Sequence, residues 1–190
     1  DVEANGLYGA PEVHVVLGEE AHSTVFSALR YLGFGAKRVH AVPVNTQGLM
    51  HAEAFARTIA PLSGSIIAIA QAGHINSGAF DPFPEIVAAC REKNAWLHVD
   101  GAFGLWAAVV PEMAHLTRGL GDADSWGGDG HKWLQTPHDC GYAIVRDAEA
   151  HRRAMAITAS YLPAGDVRHP ADFVPELSRR ARGFATWTML

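Results

Sequence analysis

Short apolar runs alternate along this chain with longer stretches in which apolar positions recur every three or four residues. The first is the pattern of buried strands, the second that of amphipathic helices. Strands are expected over 13–17, 38–44, 65–71, 96–100, 124–126 and 141–146. Helices are expected over 22–32, 51–60, 84–93, 102–109 and 148–156, with a further one over 173–190. Pro84 suits a helix first turn, where its missing N–H is not needed, and Gly33-Phe34-Gly35 suits a helix stop. Strands and helices in alternation predict an α/β fold, a mostly parallel sheet with crossover helices. The stretch 163–170, with Gly165 between two prolines, is the clearest loop.

Composition narrows this picture. With 190 residues, 48% of them hydrophobic and 18% charged, the chain has enough apolar surface for one substantial core but not for two. A net charge of −5 gives no reason to expect nucleic acid or an anionic membrane as partner. No apolar run reaches the roughly 18 residues of a membrane span. Two cysteines, Cys90 and Cys140, make no disulfide framework and point to a reducing, cytoplasmic setting. The chain opens without an initiator methionine or signal pattern and closes inside a helical pattern, so a piece of a longer protein is expected.

The candidate chemistry lies at two strand ends. Lys132 follows Gly127-Gly128-Asp129-Gly130-His131 and precedes Trp133-Leu134. An arbitrary lysine is a solvated surface group. Here the glycines let the backbone approach a ligand closely, and apolar neighbours desolvate the amine, which favours its nucleophilic form. Asp100 ends the strand Trp96-Leu97-His98-Val99, where open α/β sheets place their ligands. Its bland alternative is a helix N-cap. The small Gly101-Ala102 that follows is what a flat ring against the strand end requires. An amine and a carboxylate so placed are what pyridoxal phosphate needs: one to hold its aldehyde as a Schiff base, one to keep its pyridine nitrogen protonated. His22, at another strand-to-helix junction, is a surface or cap residue by default and a ring-stacking imidazole by location. Eleven histidines invite a metal reading, yet no His-Glu-x-x-His or Cys-x-x-Cys spacing occurs. A serine-nucleophile elbow and a complete dinucleotide fingerprint are absent too. Arg179, Arg180 and Arg182 read as a solvated helix face.

Three segments carry a resemblance: Ala70-Gln-Ala-Gly-His-Ile-Asn-Ser-Gly-Ala-Phe-Asp81, His98-Val-Asp-Gly-Ala-Phe-Gly104, and Asp129-Gly-His-Lys-Trp-Leu-Gln-Thr-Pro-His-Asp-Cys-Gly141. In this order, with Ser125 ahead of the lysine, the chain resembles the group II pyridoxal-phosphate-dependent amino-acid decarboxylases, most closely their bacterial branch. The resemblance implies a type I aminotransferase-like large domain over 1–190, incomplete at both ends, with active sites at a homodimer interface. It implies Lys132 as the Schiff-base lysine and Asp100 as partner of the pyridine nitrogen. Ala102 packs on the ring and His22 stacks over it. His131, with the backbone around Asp129, meets the phosphate, and Asn76 lies in the segment beneath the cofactor. The substrate class implied is an L-amino acid, decarboxylated to the amine.

Departures from the family pattern set further expectations. The upstream phosphate-binding loop and the C-terminal small domain have no counterpart here, so the 190-residue piece alone is expected to bind the cofactor weakly. Gly73-His74-Ile75 stands where several members carry Gly-Thr-Thr. The family's mobile-loop tyrosine is missing from 162–172: Tyr161 stands before the loop, Phe173 cannot donate a proton, and His169, with an ordinary pKa of ~6.5, can. His169 or a water is therefore expected to reprotonate Cα. Other type I reactions (transaminase, carbon–carbon lyase, aldehyde synthase) stay open, as does a non-catalytic truncated chain.

Overall fold

The computed structural model describes residues 2–157 and 168–190. Six strands form one sheet: β1 (Val13–Gly18), β2 (Val39–Val42), β3 (Ser65–Gln71), β4 (Trp96–Asp100), β5 (Ser125–Asp129) and β6 (Gly141–Val145). Their order is β2-β1-β3-β4-β5-β6. The first five run parallel, and β6 turns back antiparallel to β5. The helices are α1 (Val2–Asn5), α2 (Ser23–Tyr31), α3 (Ala52–Ile59), α4 (Phe83–Glu92), α5 (Gly130–Trp133), α6 (Ala148–Met155) and α7 (Arg182–Met189). Among the described residues, no helix is long and apolar enough to cross a membrane.

Side-chain alternation divides the core between the two faces of the sheet. Val16, Ile66, Ala68, Ala70, Leu97 and Val99 face one way, packed with Phe55 and Ile59 of α3 and Phe83 and Ile86 of α4. Val15, Leu17 and Ile69 face the other way, against Leu29, Val25 and Phe26 of α2. On that second face β4 and β5 present Trp96, His98, Asp100 and Ser125, which are polar or amphipathic. The interiors of the doubly buried strands β1 and β3, residues 15–17 and 66–70, are accordingly apolar, whereas β4 alternates.

Local signals act where the sequence puts them. Pro84 stands in the first turn of α4. At the end of α2, Gly33 takes φ +85°, while the N–H groups of Gly33 and Phe34 donate to the carbonyls of Arg30 and Leu29 at 3.1 and 2.8 Å. That is a left-handed stop only glycine adopts without strain.

Four expectations are corrected. The segment 102–109 is not an α-helix: only the 3-10 turn Leu105–Val109 forms. Gly104 is the reason, because its N–H donates to Ala72 O at 2.8 Å and it packs so closely there that a Cβ would collide with the Ala72 backbone and the Phe80 ring. The stretch 173–190 is helical only in α7, since Pro175 forces Val174 into extended backbone (φ −145°, ψ 153°). The strand 38–44 shortens to β2, preceded by the 3-10 turn Ala36–Arg38. Arg180 and Arg182 are not a solvated helix face: both pair with Asp139 Oδ2, at 2.9 and 3.1 Å, Arg182 also donating a hydrogen bond to it, and they tie the start of α7 to the turn before β6. The expected loop 163–170 falls mostly on residues outside those described, as does Tyr161.

Candidate active site

Parallel strands all end at one edge, so the loops that leave β1, β3, β4 and β5 share it. Those four strands are consecutive neighbours in space, and at about 4.8 Å per strand their ends span roughly 15 Å. The edge collects most of the residues singled out from sequence: His22 after β1, Asn76 after β3, Asp100 and Ala102 at the end of β4, and Asp129, His131 and Lys132 at the end of β5.

Lys132 lies on α5, the single turn into which β5 runs. Its Nζ is 2.8 Å from Asp129 Oδ2 and 4.1 Å from the centroid of the Phe103 ring. The amine is thus paired with a carboxylate and laid on an aromatic face, not surrounded by apolar groups alone as the flanking Trp133 and Leu134 suggested. Trp133 is exposed. The chain's other lysines lie elsewhere. Lys37 is in the turn leading into β2, and Lys93, at the end of α4, donates to Ala60 O at 2.8 Å. Phe103 was missed from sequence; its position directly after Ala102 was the available signal.

Asp100 accepts a hydrogen bond from Ala102 N at 3.1 Å and sits across from Gln71 on one side and Gly127 on the other. It caps no α-helix, because none follows. A small cleft beside it is lined by Gly18, Ala21, Gly48, Gln71 and Asp81. Ala102 is half-buried beside it. His22 is the N-cap of α2, its Nδ1 2.7 Å from Thr24 Oγ1, so the capping role is real and its half-buried ring stays at the shared edge.

The loop after Lys132 folds back under it. Gly130 N donates to Cys140 O at 2.8 Å, and Thr136 N donates to Gly130 O at 3.2 Å. This brings His138 onto His131, ring centroids 4.1 Å apart and planes 22° from parallel. His131 Nδ1 is buried with no partner among the described residues. A buried polar nitrogen left open is costly, so a ligand or water that meets it is favoured. His138 lay inside a quoted motif, but no sequence signal showed that its loop returns.

Asn76 is exposed; its backbone N–H donates to His74 Nδ1 at 3.3 Å. The residues that organise this segment are His74 and Asp81, neither of which was named as a site residue. Buried His74 lies 3.5 Å from Glu20 and packs against Gly48, whose φ of +80° leaves no room for a side chain there. Buried Asp81 accepts from Met50 N at 2.8 Å and from Gln71 N at 2.7 Å. Burial pushes its carboxyl up to about 6, opposed by those two N–H groups and by His74. His169 is not brought to this edge by any contact. It precedes the turn Pro170–Phe173, which packs on α6 through Phe173 against His151, 5.4 Å between ring centroids. Among the described residues no hydrogen bond or ring contact joins His169 to Lys132, Asp100 or His22, and no group of three His, Cys, Asp or Glu side chains is gathered to hold a metal.

With the site described, similarity to known proteins is informative. Tryptophan decarboxylase 1 of Oryza sativa subsp. japonica is 28% identical over 198 residues, 98% of this chain and 38% of the relative. Cysteine sulfinic acid decarboxylase of Rattus norvegicus is 30% identical over 199 residues, 100% of this chain and 40% of the relative. The crystal structure of mouse CSAD in apo form superposes with a TM-score of 0.89 at 27% identity, over all of this chain and 41% of that one. That of Oryza sativa TDC with PLP and tryptamine gives 0.86 at 26% identity, over 98% and 40%. The chain therefore spans about two fifths of the length of these relatives. A family model described as the pyridoxal-dependent decarboxylase conserved domain matches residues 6–190, nearly the whole chain and every residue at the shared strand edge, and the chain belongs to that family.

Proposed function

We propose that the full-length protein containing this chain decarboxylates an L-amino acid to its amine with pyridoxal phosphate as cofactor, and that Lys132 holds the cofactor covalently. The observation that carries the proposal is the pairing at one sheet edge of a half-buried lysine amine, fixed between Asp129 and Phe103, with the strand-end carboxylate of Asp100. The relatives' names support decarboxylation of amino acids as the reaction class.

The residues fit the group. His131 Nδ1 is a buried polar atom without a partner among the described residues, a group that a phosphate oxygen or its water would satisfy. Gly127, opposite Asp100, puts no side chain on the face they share, and Ala102 offers a small flat contact beside Asp100. When bound, pyridoxal phosphate supplies an aldehyde that takes up amines and a ring that draws electrons from Cα.

The chain's own residues do the rest. Lys132 offers its amine, and Asp129, 2.8 Å away, takes part in its proton exchange as the amine is engaged and released. Asp100 holds a proton at the ring nitrogen by its negative charge, an interaction that strengthens as charge develops in the transition state. His22 would stack on the ring and Ala102 would pack against it, and Asn76 lies in the segment after β3 that shares this edge. His169, or a water, would return the proton to Cα once carbon dioxide has left, with no tyrosine in 162–172 to compete. We further propose a homodimer, because the site is open at the sheet edge, and a reducing, cytoplasmic setting, which suits two cysteines that are buried and unpaired.

The test is product analysis. Full-length protein with pyridoxal phosphate, screened across the L-amino acids, is expected to release carbon dioxide and the matching amine from at least one. Release of ammonia and aldehyde would move the reaction to an aldehyde synthase, and amino transfer without carbon dioxide would overturn decarboxylation.

A further inference from the structure

The sheet face that carries Asp100 also carries a hydrogen-bonded chain that none of the roles above uses. Trp96 Nε1 donates to Ser125 Oγ at 2.8 Å, and Ser125 Oγ lies 2.8 Å from His98 Nδ1. Ser125 is buried. An indole N–H can only donate, so one lone pair of the Ser125 oxygen is committed to Trp96. If His98 Nδ1 also donated, the buried hydroxyl hydrogen would have no acceptor among the described residues. The arrangement that satisfies every atom runs one way: Trp96 N–H to Ser125, Ser125 O–H to His98 Nδ1. A neutral imidazole accepting at Nδ1 carries its hydrogen on Nε2.

Register shows where that N–H lies. His98 stands opposite Ser125, and Asp100 stands opposite Gly127. His98 meets Ser125 with Nδ1, while its Nε2 is the atom nearest the open side of Gly127, 3.5 Å from where a Cβ would sit. The ring therefore runs along the strand from the level of Ser125 toward that of Asp100. His98 and Asp100, two residues apart, share one face of β4. Burial holds His98 below its ordinary pKa, against the pull of the Asp100 charge, which favours the neutral ring.

We infer that His98 is a positioning residue for Asp100, locked by Ser125 and Trp96 in the tautomer that presents its Nε2–H along β4 to the side of the carboxylate. A fixed N–H dipole on that side orients Asp100, so that its charge is available to the cofactor nitrogen. The inference rests on the proposed role of Asp100. It differs from that role in assigning work to His98, Ser125 and Trp96, which the proposed mechanism leaves unused.

Full-length protein labelled with 15N-histidine, with and without pyridoxal phosphate, reads the tautomer directly, His98→Gln identifying the signals. The expected result is an unprotonated Nδ1 and a protonated Nε2 in both states. Ser125→Ala should release the lock, and Trp96→Phe, at a partly exposed position, should loosen it without endangering the fold; Ser125→Thr should keep it. In loaded protein, Ser125→Ala should lower kcat on the order of tenfold, the low end of what outer partners of an oriented histidine are worth, with KM and cofactor content unchanged and Ser125→Thr near wild type. A protonated Nδ1 in the wild type, or a tautomer indifferent to Ser125→Ala and Trp96→Phe, overturns the inference. So does a lost tautomer with unchanged kcat. Asp100→Asn tells the two failures apart: if it is severely impaired while the His98 results fail, only the positioning role falls, and if it is near normal, the role of Asp100 falls as well.

Discussion

β4 and β5 show two different solutions on their two faces. On one, Leu97 and Val99, at 2% and 0% exposure, lock into the cluster built by α3 and α4. On the other, His98, Asp100, Ser125 and the backbone of Gly127 meet polar partners, and the apolar cluster of that face stops at Ile69 of β3. The first face depends on shape and volume, which many apolar side chains supply. The second depends on specific donors and acceptors, among them the Trp96–Ser125–His98 chain and the Ala102 N–H on Asp100. A five-residue strand can thus serve a core and a site at once, because its period of two keeps the demands apart.

The sharpest way to break the comparison is to carry the chemistry of one face onto the other. Val99→Asp places an unpaired charge at a fully buried position and is expected to abolish folding, while Leu97→Ala should cost about 2–5 kcal/mol; circular dichroism with denaturant titration checks both. Polar-face variants should fold normally and lose function. Asp100→Asn in the full-length protein is expected to lower kcat by at least about a hundredfold, the scale of one preorganised electrostatic contact, with cofactor content nearly retained, read by steady-state kinetics and bound-cofactor absorbance. Near-normal kcat would remove the distinction between the faces.

Asp81 sharpens the comparison from the loops beside the polar face. Its folded pKa of about 6 lies above the ordinary 3.8, so between those values the folded protein binds the proton more tightly than the unfolded one. Its contribution is fully present below about pH 3.8 and lost as pH rises through about 6. The difference in unfolding free energy between wild type and Asp81→Asn should therefore fall by an amount on the order of 2–3 kcal/mol from pH 4 to pH 7; a flat difference contradicts the burial argument. The smallest effect is expected at Asp139, whose pairs with Arg180 and Arg182 are partly exposed. Asp139→Ala should cost about 1 kcal/mol or less, and less still in high salt.

Much of this was legible in the sequence. Val13–Gly18, Ser65–Gln71 and Trp96–Asp100 follow from apolar runs and alternation; of the glycines ahead of Lys132, Gly127 and Gly128 lie inside β5 and only Gly130 opens the turn α5. Alternation within β4 even separates His98 and Asp100 from Leu97 and Val99. What escaped depended on tertiary contact. Gly104 is pressed against Ala72, which no local preference reveals, so a helix was expected where 3-10 turns form. The pairing of Asp139 with two arginines more than forty residues on, the His131–His138 stack and the burial of Asp81 arise only when distant loops meet. Ser125 carried a family resemblance, but only the register with His98 gives it a partner.

The central claim is that Lys132 is the cofactor's covalent anchor, and it can be tested without any assay of turnover. Full-length protein loaded with pyridoxal phosphate and reduced with borohydride, then digested and mapped, should carry the pyridoxyl label on Lys132. A stoichiometric label on any other lysine, with Lys132 unmodified, would contradict the account.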